Sequence, residues 1–226
     1  MAAALPSRTA LVPDVGTGAL RWRVRCCADV DEHADQLSDW SQQYDQLRGG
    51  RFAGRVRELW MGGPRLQVFH EYTSQPTSQQ CAPWQGSVWF GLPDARCVRP
   101  LHFCGGERRT DVQRFVLRAR AEGGFTLRTP EDFGIYGVVM DQEWLRAEAD
   151  ALALPGAAAL LAGAAQAVPL AAATHAAVCE TIESLLHLGA SAQLGARTGR
   201  HQALARQLLR LLCGEAAASS ADTAPP

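Results

Sequence analysis

His70-Glu71 and the pair His102-x-Cys104 are the side chains of this sequence best suited to ligating a metal. Alternate residues of a strand share one side, so two such pairs could converge. Zinc or iron needs three or four ligands, and the sequence contains no His-x-His, the spacing with which metal-holding barrels present theirs. The expectation is therefore no metal and no cofactor, with strand histidines hydrogen-bonded locally. Cys81, Cys97 and Cys104 could form a redox group and Cys26-Cys27 could hold a soft ion, yet none has Cys-x-x-Cys spacing. Seven cysteines, an odd number, fit reduced thiols that pack as small hydrophobes better than a disulfide framework. Nucleophilic chemistry has no anchor either. There is no Gly-x-Ser-x-Gly elbow or phosphate loop, and Gly16-x-Gly18 lacks the third glycine of a dinucleotide site. No catalytic residue is expected, and the chain is read as a non-enzyme.

Aromatic residues offer a different chemistry. Trp60, Phe69, Trp84, Trp89 and Phe90 fall in the same region as His70, Glu71 and His102, the mixture of apolar walls and few polar groups that a small-molecule pocket uses. Trp60, His70, Glu71, Trp84, Trp89 and His102 are the candidate ligand-binding residues. The competing reading is that the tryptophans fill a core. Arg108, Arg109, Arg114, Arg118, Arg120 and Arg128 could be taken for a phosphate-binding patch, but Glu107, Asp111 and Glu122 are interleaved, which describes a solvated face. Net charge is −1, and every basic side chain among the 22 is arginine. That balance argues against these residues gripping DNA by themselves.

Positioning such residues falls to a β region framed by helices. Asp29 can cap a helix whose first turn holds Glu32, and Val30, Ala34, Leu37, Trp40, Tyr44 and Leu47 recur at spacings of three and four. The spacing predicts a helix over about 29–48, ended by Gly49-Gly50. Phe52 to Trp60 then alternates as a strand does, as does Leu20 to Arg25. From 51 to about 140 short extended runs are punctuated by Gly62-Gly63-Pro64, Pro93-Asp94, Gly105-Gly106, Gly123-Gly124 and Thr129-Pro130, the pattern of an all-β barrel or sandwich. After Met140 the composition turns to alanine. Asp141 can cap one helix, Thr174 can open another with Val178, Ile182, Leu185 and Leu186 on one face, and a third carries Leu204, Leu208, Leu211 and Leu212. The last two suggest a helical hairpin. The division is residues 1–140 as a β domain, 141–215 as a helical region and 216–226 as a disordered tail. No apolar run reaches membrane-spanning length, and Met1 to Gly16 lacks the features of a signal peptide, so a cytoplasmic location is expected.

A resemblance sharpens this outline. The stretch His33-Ala34-x-x-Leu37-x-x-Trp40-x-x-x-Tyr44-x-Gln46-Leu47-x-x-Gly50-x-Phe52-x-Gly54 is similar to the start of the effector-sensing domain in one branch of the AraC-type transcriptional regulators. Similarity runs on through Leu66 to Glu71, Trp89 to Pro93 and Phe133 to Val139. The resemblance implies an α+β fold: a cupin-like β-barrel or jelly roll with an N-terminal helix and a C-terminal helical hairpin. It further implies that the barrel binds a small-molecule effector and that the hairpin dimerises through Leu204, Leu208, Leu211 and Leu212, where the plain reading packs both helices on their own barrel. DNA would be read by a C-terminal double helix-turn-helix domain, which these residues do not include. Two rival readings remain: a metal-dependent enzyme on a cupin-like barrel, and a stand-alone interaction protein that heterodimerises with regulators.

Overall fold

The computed structural model describes residues 20–62, 65–154, 157–161, 163–190, 203 and 206–213. Among the described residues up to 190, twelve strands and four helices follow one another as β1 (Arg21–Cys27), α1 (Val30–Ala34), β2 (Ser41–Gln46), β3 (Gly54–Gly62), β4 (Arg65–Thr73), β5 (Thr77–Ala82), β6 (Ser87–Pro93), β7 (Leu101–Phe103), β8 (Gly106–Arg108), β9 (Phe115–Arg120), β10 (Phe125–Arg128), β11 (Phe133–Asp141), α2 (Gln142–Ala151), α3 (Ala157–Leu161), β12 (Gln166–Pro169) and α4 (Ala172–Ala190). Residues 206–213 are also helical. Among the described residues no helix is long and apolar enough to cross a membrane.

The strands form a seven-stranded sheet, ordered β1-β3-β4-β11-β6-β9-β12, and a five-stranded sheet, ordered β2-β5-β10-β7-β8. The strand pairs are antiparallel. The fold is thus α+β, but the expected closed barrel is not observed. Closure requires an unbroken circuit of strand pairs, and among the described residues β1 and β2 each pair along one edge only.

The larger sheet is covered on both faces. Its inner face meets the smaller sheet through Val56, Trp60, Phe69, Trp89, Leu117 and Val139. Its outer face packs Leu59, Val68, Phe90, Val116 and Val138 against the helices. This is why β6 is buried at every position instead of alternating between core and water. Val178, Ile182, Leu185 and Leu186 of α4 are all 0% exposed in that outer core, each contributing roughly 1.5–3 kcal/mol by leaving water. Asp141 caps α2 as expected, its Oδ1 accepting from the Trp144 amide at 2.8 Å.

Three segments differ from expectation. The helix foreseen over 29–48 is only α1. Asp29 caps it, accepting from the amides of Asp31 and Glu32, but it ends at Ala34, and Asp39 adopts a φ of 62° that no helix tolerates. Beyond it, β2 alternates Gln42, Tyr44 and Gln46 inward with Ser41, Gln43 and Asp45 outward while pairing with β5. Leu47, which a helical stripe would bury, is 47% exposed. Second, β12 lies inside the alanine-rich stretch and completes the sheet on β9. Third, Leu208 and Leu212 are buried in the chain's own outer core together with Leu209 and Cys213, while Leu211 is half-buried. Leu204 and the tail expected over 216–226 lie outside the described residues.

Candidate functional site

Between the sheets the inner strands converge on one small chamber. β4 sends Phe69 and Glu71 inward, β2 contributes Gln42 and Tyr44, and β5 contributes Gln79 and Cys81. Trp89 of β6, Phe125 and Leu127 of β10 and Ile135 of β11 supply apolar wall. Leu37 and Trp40 come from the connection between α1 and β2. Two of the aromatic rings need glycine beside them. A Cβ on Gly137 would stand 2.1 Å from the Phe69 ring, and one on Gly91 2.2 Å from the Trp89 indole.

The chamber is nearly full. Its void is about 10 Å³, room for one water at most. Trp89 and Phe125 stack in parallel, centroids 4.2 Å apart and planes 4° from coplanar. The Trp40 indole stands edge-on to Phe69, Trp89 and Phe125, at 5.7, 6.2 and 6.2 Å, the arrangement in which a positive ring edge meets negative ring faces. Its Nε1 donates to Gln67 Oε1 at 2.9 Å.

A chain of polar groups crosses the same space. The Tyr44 hydroxyl donates to Glu71 Oε1 at 2.9 Å, and Gln42 Nε2 donates to the Tyr44 oxygen at 2.7 Å. The order is fixed by chemistry: an ionised carboxylate only accepts, so the phenol must give it the proton and can itself accept from the amide. Burial, and then the Glu71 charge, hold the Tyr44 hydroxyl well above its ordinary pKa, which keeps it a donor. On the far side His33 Nε2 lies 2.9 Å from Glu71 Oε1, out of line for a hydrogen bond, and His33 Nδ1 contacts Cys27 Sγ at 3.4 Å. Burial also raises the Cys81 thiol, which stays protonated at the chamber wall.

A second buried carboxylate steadies the α1–β2 connection. Glu58 accepts from the Ser38 amide and hydroxyl, from Trp60 Nε1 and from Gln67 Nε2. Because Gln67 also holds Trp40, the position of that indole is tied to β3 and β4.

The residues expected from sequence separate into three places. Glu71 and Trp89 line the chamber. Trp60 and Trp84 pack on each other elsewhere in the inner core, centroids 5.4 Å apart, with the Arg65 guanidinium 5.3 and 4.6 Å from their rings. His70, one residue from Glu71, faces the opposite side of the sheet, 3.8 Å from Asp94 and ring-to-ring with Tyr136. There it joins a polar seam beneath α4 that includes the bidentate pair Arg57–Glu183, at 2.6 and 2.7 Å, and the Tyr136 hydroxyl bonded to Glu183. His175 of α4 is neutral in this seam, burial pushing its pKa down to about 4. His102 is exposed on β7. Among the described residues no three of His, Cys, Asp and Glu group as a metal site would require.

Sequence reasoning did not assign His33, Trp40, Gln42, Tyr44, Gln79 or Phe125 to the site. For His33, Trp40 and Tyr44 a signal was present, since all three belong to the segment that carries the family resemblance. Their helical spacing hid it. Outside the chamber, an open groove of about 570 Å³ runs along the end of the smaller sheet and shares Gln42, Cys81 and Phe125 with the chamber wall.

No family model matches the chain. Among solved structures it is similar to the AraC-like transcriptional activator CuxR, at 12% sequence identity and a TM-score of 0.50, over 90% of this chain and 72% of that one. At that identity the likeness is one of fold.

Proposed function

We propose that this chain is the ligand-sensing and dimerising part of an AraC-type transcriptional regulator, working in the cytoplasm and leaving DNA to a helix-turn-helix domain outside this sequence. The observation that carries the reading is the aromatic chamber crossed by the Gln42–Tyr44–Glu71 chain. A guest with an apolar body and a polar group gains both packing and directed hydrogen bonds in such a place. The fold likeness to an AraC-like activator supports the same reading, as does the convergence of the motif residues His33, Tyr44, Phe52 and Gly54 beside Glu71. The role is binding without catalysis and without a cofactor.

Signalling in this scheme is a difference in affinity. A ligand shifts the balance between two arrangements only as far as it binds one better than the other. β4 gives the two faces of the sheet a common element, for Glu71 meets the chamber and His70 meets the seam under α4. Ordering of the chamber thereby bears on the helices, through which a second copy of this chain is expected to associate.

The test is a thermal-shift screen of amino acids, amines and aromatic acids against the purified chain. A ligand that binds only the folded form must raise its melting temperature. At least one compound raising it saturably is the expected result, and a screen in which none does removes the sensing role. Sedimentation of the same protein tests the dimer, and translation of the gene past Pro226 into two helix-turn-helix units tests the DNA-reading partner domain.

A further inference from the structure

The chamber's own chemistry narrows the ligand to one class, an assignment that rests on the proposed sensing role. We infer that the chamber takes a planar aromatic ring carrying a protonated amine, the ring replacing the Trp40 indole and the ammonium lying between Glu71 and Gln42. Charge points the same way. Glu71 is the sole charged side chain among the described residues lining the chamber, and none of them is an arginine. The one titratable neighbour the carboxylate meets among the described residues outside that lining is the His33 imidazole, 2.9 Å from its Oε1, and in a water-poor space such a carboxylate favours a cation and repels an anion. Hydrogen bonding agrees. Glu71 Oε1 is engaged by Tyr44, whereas no hydrogen bond from the described residues reaches its Oε2. Gln42 spends its amide nitrogen on Tyr44 and leaves Oε1 buried without a partner. One buried acceptor beside the carboxylate therefore lacks a donor, and an ammonium, which brings three, can serve it together with Glu71.

The ring's place is set by what can move. With a void of only about 10 Å³, a guest must displace a side chain. The strand residues of the wall are held by their ladders, but Trp40 sits in the strandless connection after α1, half-buried, next to Asp39 with its φ of 62°. Aspartate adopts that left-handed conformation and the negative-φ regions alike, so Asp39 is the point about which Trp40 can swing while Glu58 keeps its hold on Ser38. Withdrawing Trp40 breaks one hydrogen bond, to Gln67, and vacates a slot edge-on to Phe69, Trp89 and Phe125. A guest ring remakes those edge-to-face contacts unchanged. The outer groove, which shares Gln42, Cys81 and Phe125 with the chamber, supplies an approach.

Phenethylamine, phenylacetate and hexylamine, titrated separately at millimolar concentration into the full chain, separate ring from charge. Phenethylamine is expected to raise the melting temperature and to shift tryptophan emission to the red as Trp40 enters water, while the other two do neither. Trp40→Ala, which empties the slot, should bind phenethylamine more tightly, and Glu71→Gln should weaken it at least about tenfold, the worth of a hydrogen bond to a charged group. Should Glu71→Gln fail to fold, the three probes and Trp40→Ala still decide. Phenylacetate or hexylamine binding as well as phenethylamine overturns the aromatic-cation assignment and leaves a sensor of another ligand class. Weaker binding by Trp40→Ala overturns the displacement of Trp40. Silence of all three probes with both the native chain and Trp40→Ala also overturns the assignment, and the broader thermal-shift screen then judges the sensing role independently.

Discussion

His33 and Gly54 are twenty-one positions apart, yet each explains the other. The imidazole occupies the space a side chain at 54 would need: a Cβ there would stand 2.3 Å from His33 Nδ1. Phe52 meets the same ring edge-on at 5.5 Å, and Tyr44 meets it at 5.8 Å. His33, Tyr44, Phe52 and Gly54 of the resemblance are thus one packed group beside Glu71, assembled from α1, β2, β3 and the residues just before β3. Gly54→Ala should push His33 off Glu71 and cost about 1–3 kcal/mol, the usual penalty for overfilling a core. Gly123, where a Cβ would meet nothing within 4 Å, is the control, and Gly123→Ala should stay within about 0.5 kcal/mol of the native chain. Urea unfolding of both variants checks this, and equal midpoints would remove the packing account of the Gly-x-Phe-x-Gly pattern.

Elements were legible where one periodicity dominated. The strands about Val56 and Trp60, the Asp141-capped helix and the face of α4 bearing Val178, Ile182, Leu185 and Leu186 stand where pattern and caps place them. Between Ala34 and Leu47 the pattern misled because Trp40, Tyr44 and Leu47 satisfy helical spacing while Gln42, Tyr44 and Gln46 satisfy strand spacing, and pairing with β5 decided between them. β12 was hidden for the same reason: alanine favours a helix locally, but the free edge of β9 takes four residues of that stretch as a strand. The last helix obeys a related rule. Leu208 is 0% exposed within the single chain, so Leu208→Glu buries an unpaired charge and should cost about 3 kcal/mol or more, whereas half-buried Leu211→Glu should cost roughly 1 kcal/mol. Melting temperatures order the two. If Leu208→Glu leaves the melting temperature alone and instead lowers the mass in solution, the leucines belong to a seam between two copies.

At the scale of the molecule, the seven-stranded sheet is the shared wall of two cores. Aromatic packing with the buried polar chain lies on one side, and aliphatic packing with the helices on the other. Neither core survives loss of the sheet, so unfolding should be a single cooperative event. Near-ultraviolet circular dichroism, which reports inner tryptophans such as Trp89, and far-ultraviolet dichroism should therefore lose signal at the same denaturant concentration. Separate midpoints would mean that helices and sandwich are independent units. The same construction gives a chamber and a helical face one common element, so a change of packing at Glu71 has a path of a single strand to α4.

Local chemistry by itself determined that the stretch from about 51 to 140 is extended, which caps start α1 and α2, and that metal, nucleotide and disulfide motifs are missing, because each of these depends on residues close together in the chain. It also carried the motif later found around Glu71. Only the tertiary structure decided that His70 and Glu71 serve opposite faces, that Trp60 and Trp84 lie away from the chamber while Trp40 and Tyr44 line it, and that Leu208 faces its own core. Those outcomes turn on strand register and on which surfaces meet. A shift of one residue reverses every inward and outward side chain of a strand, and the pairings that fix it here join residues far apart in sequence.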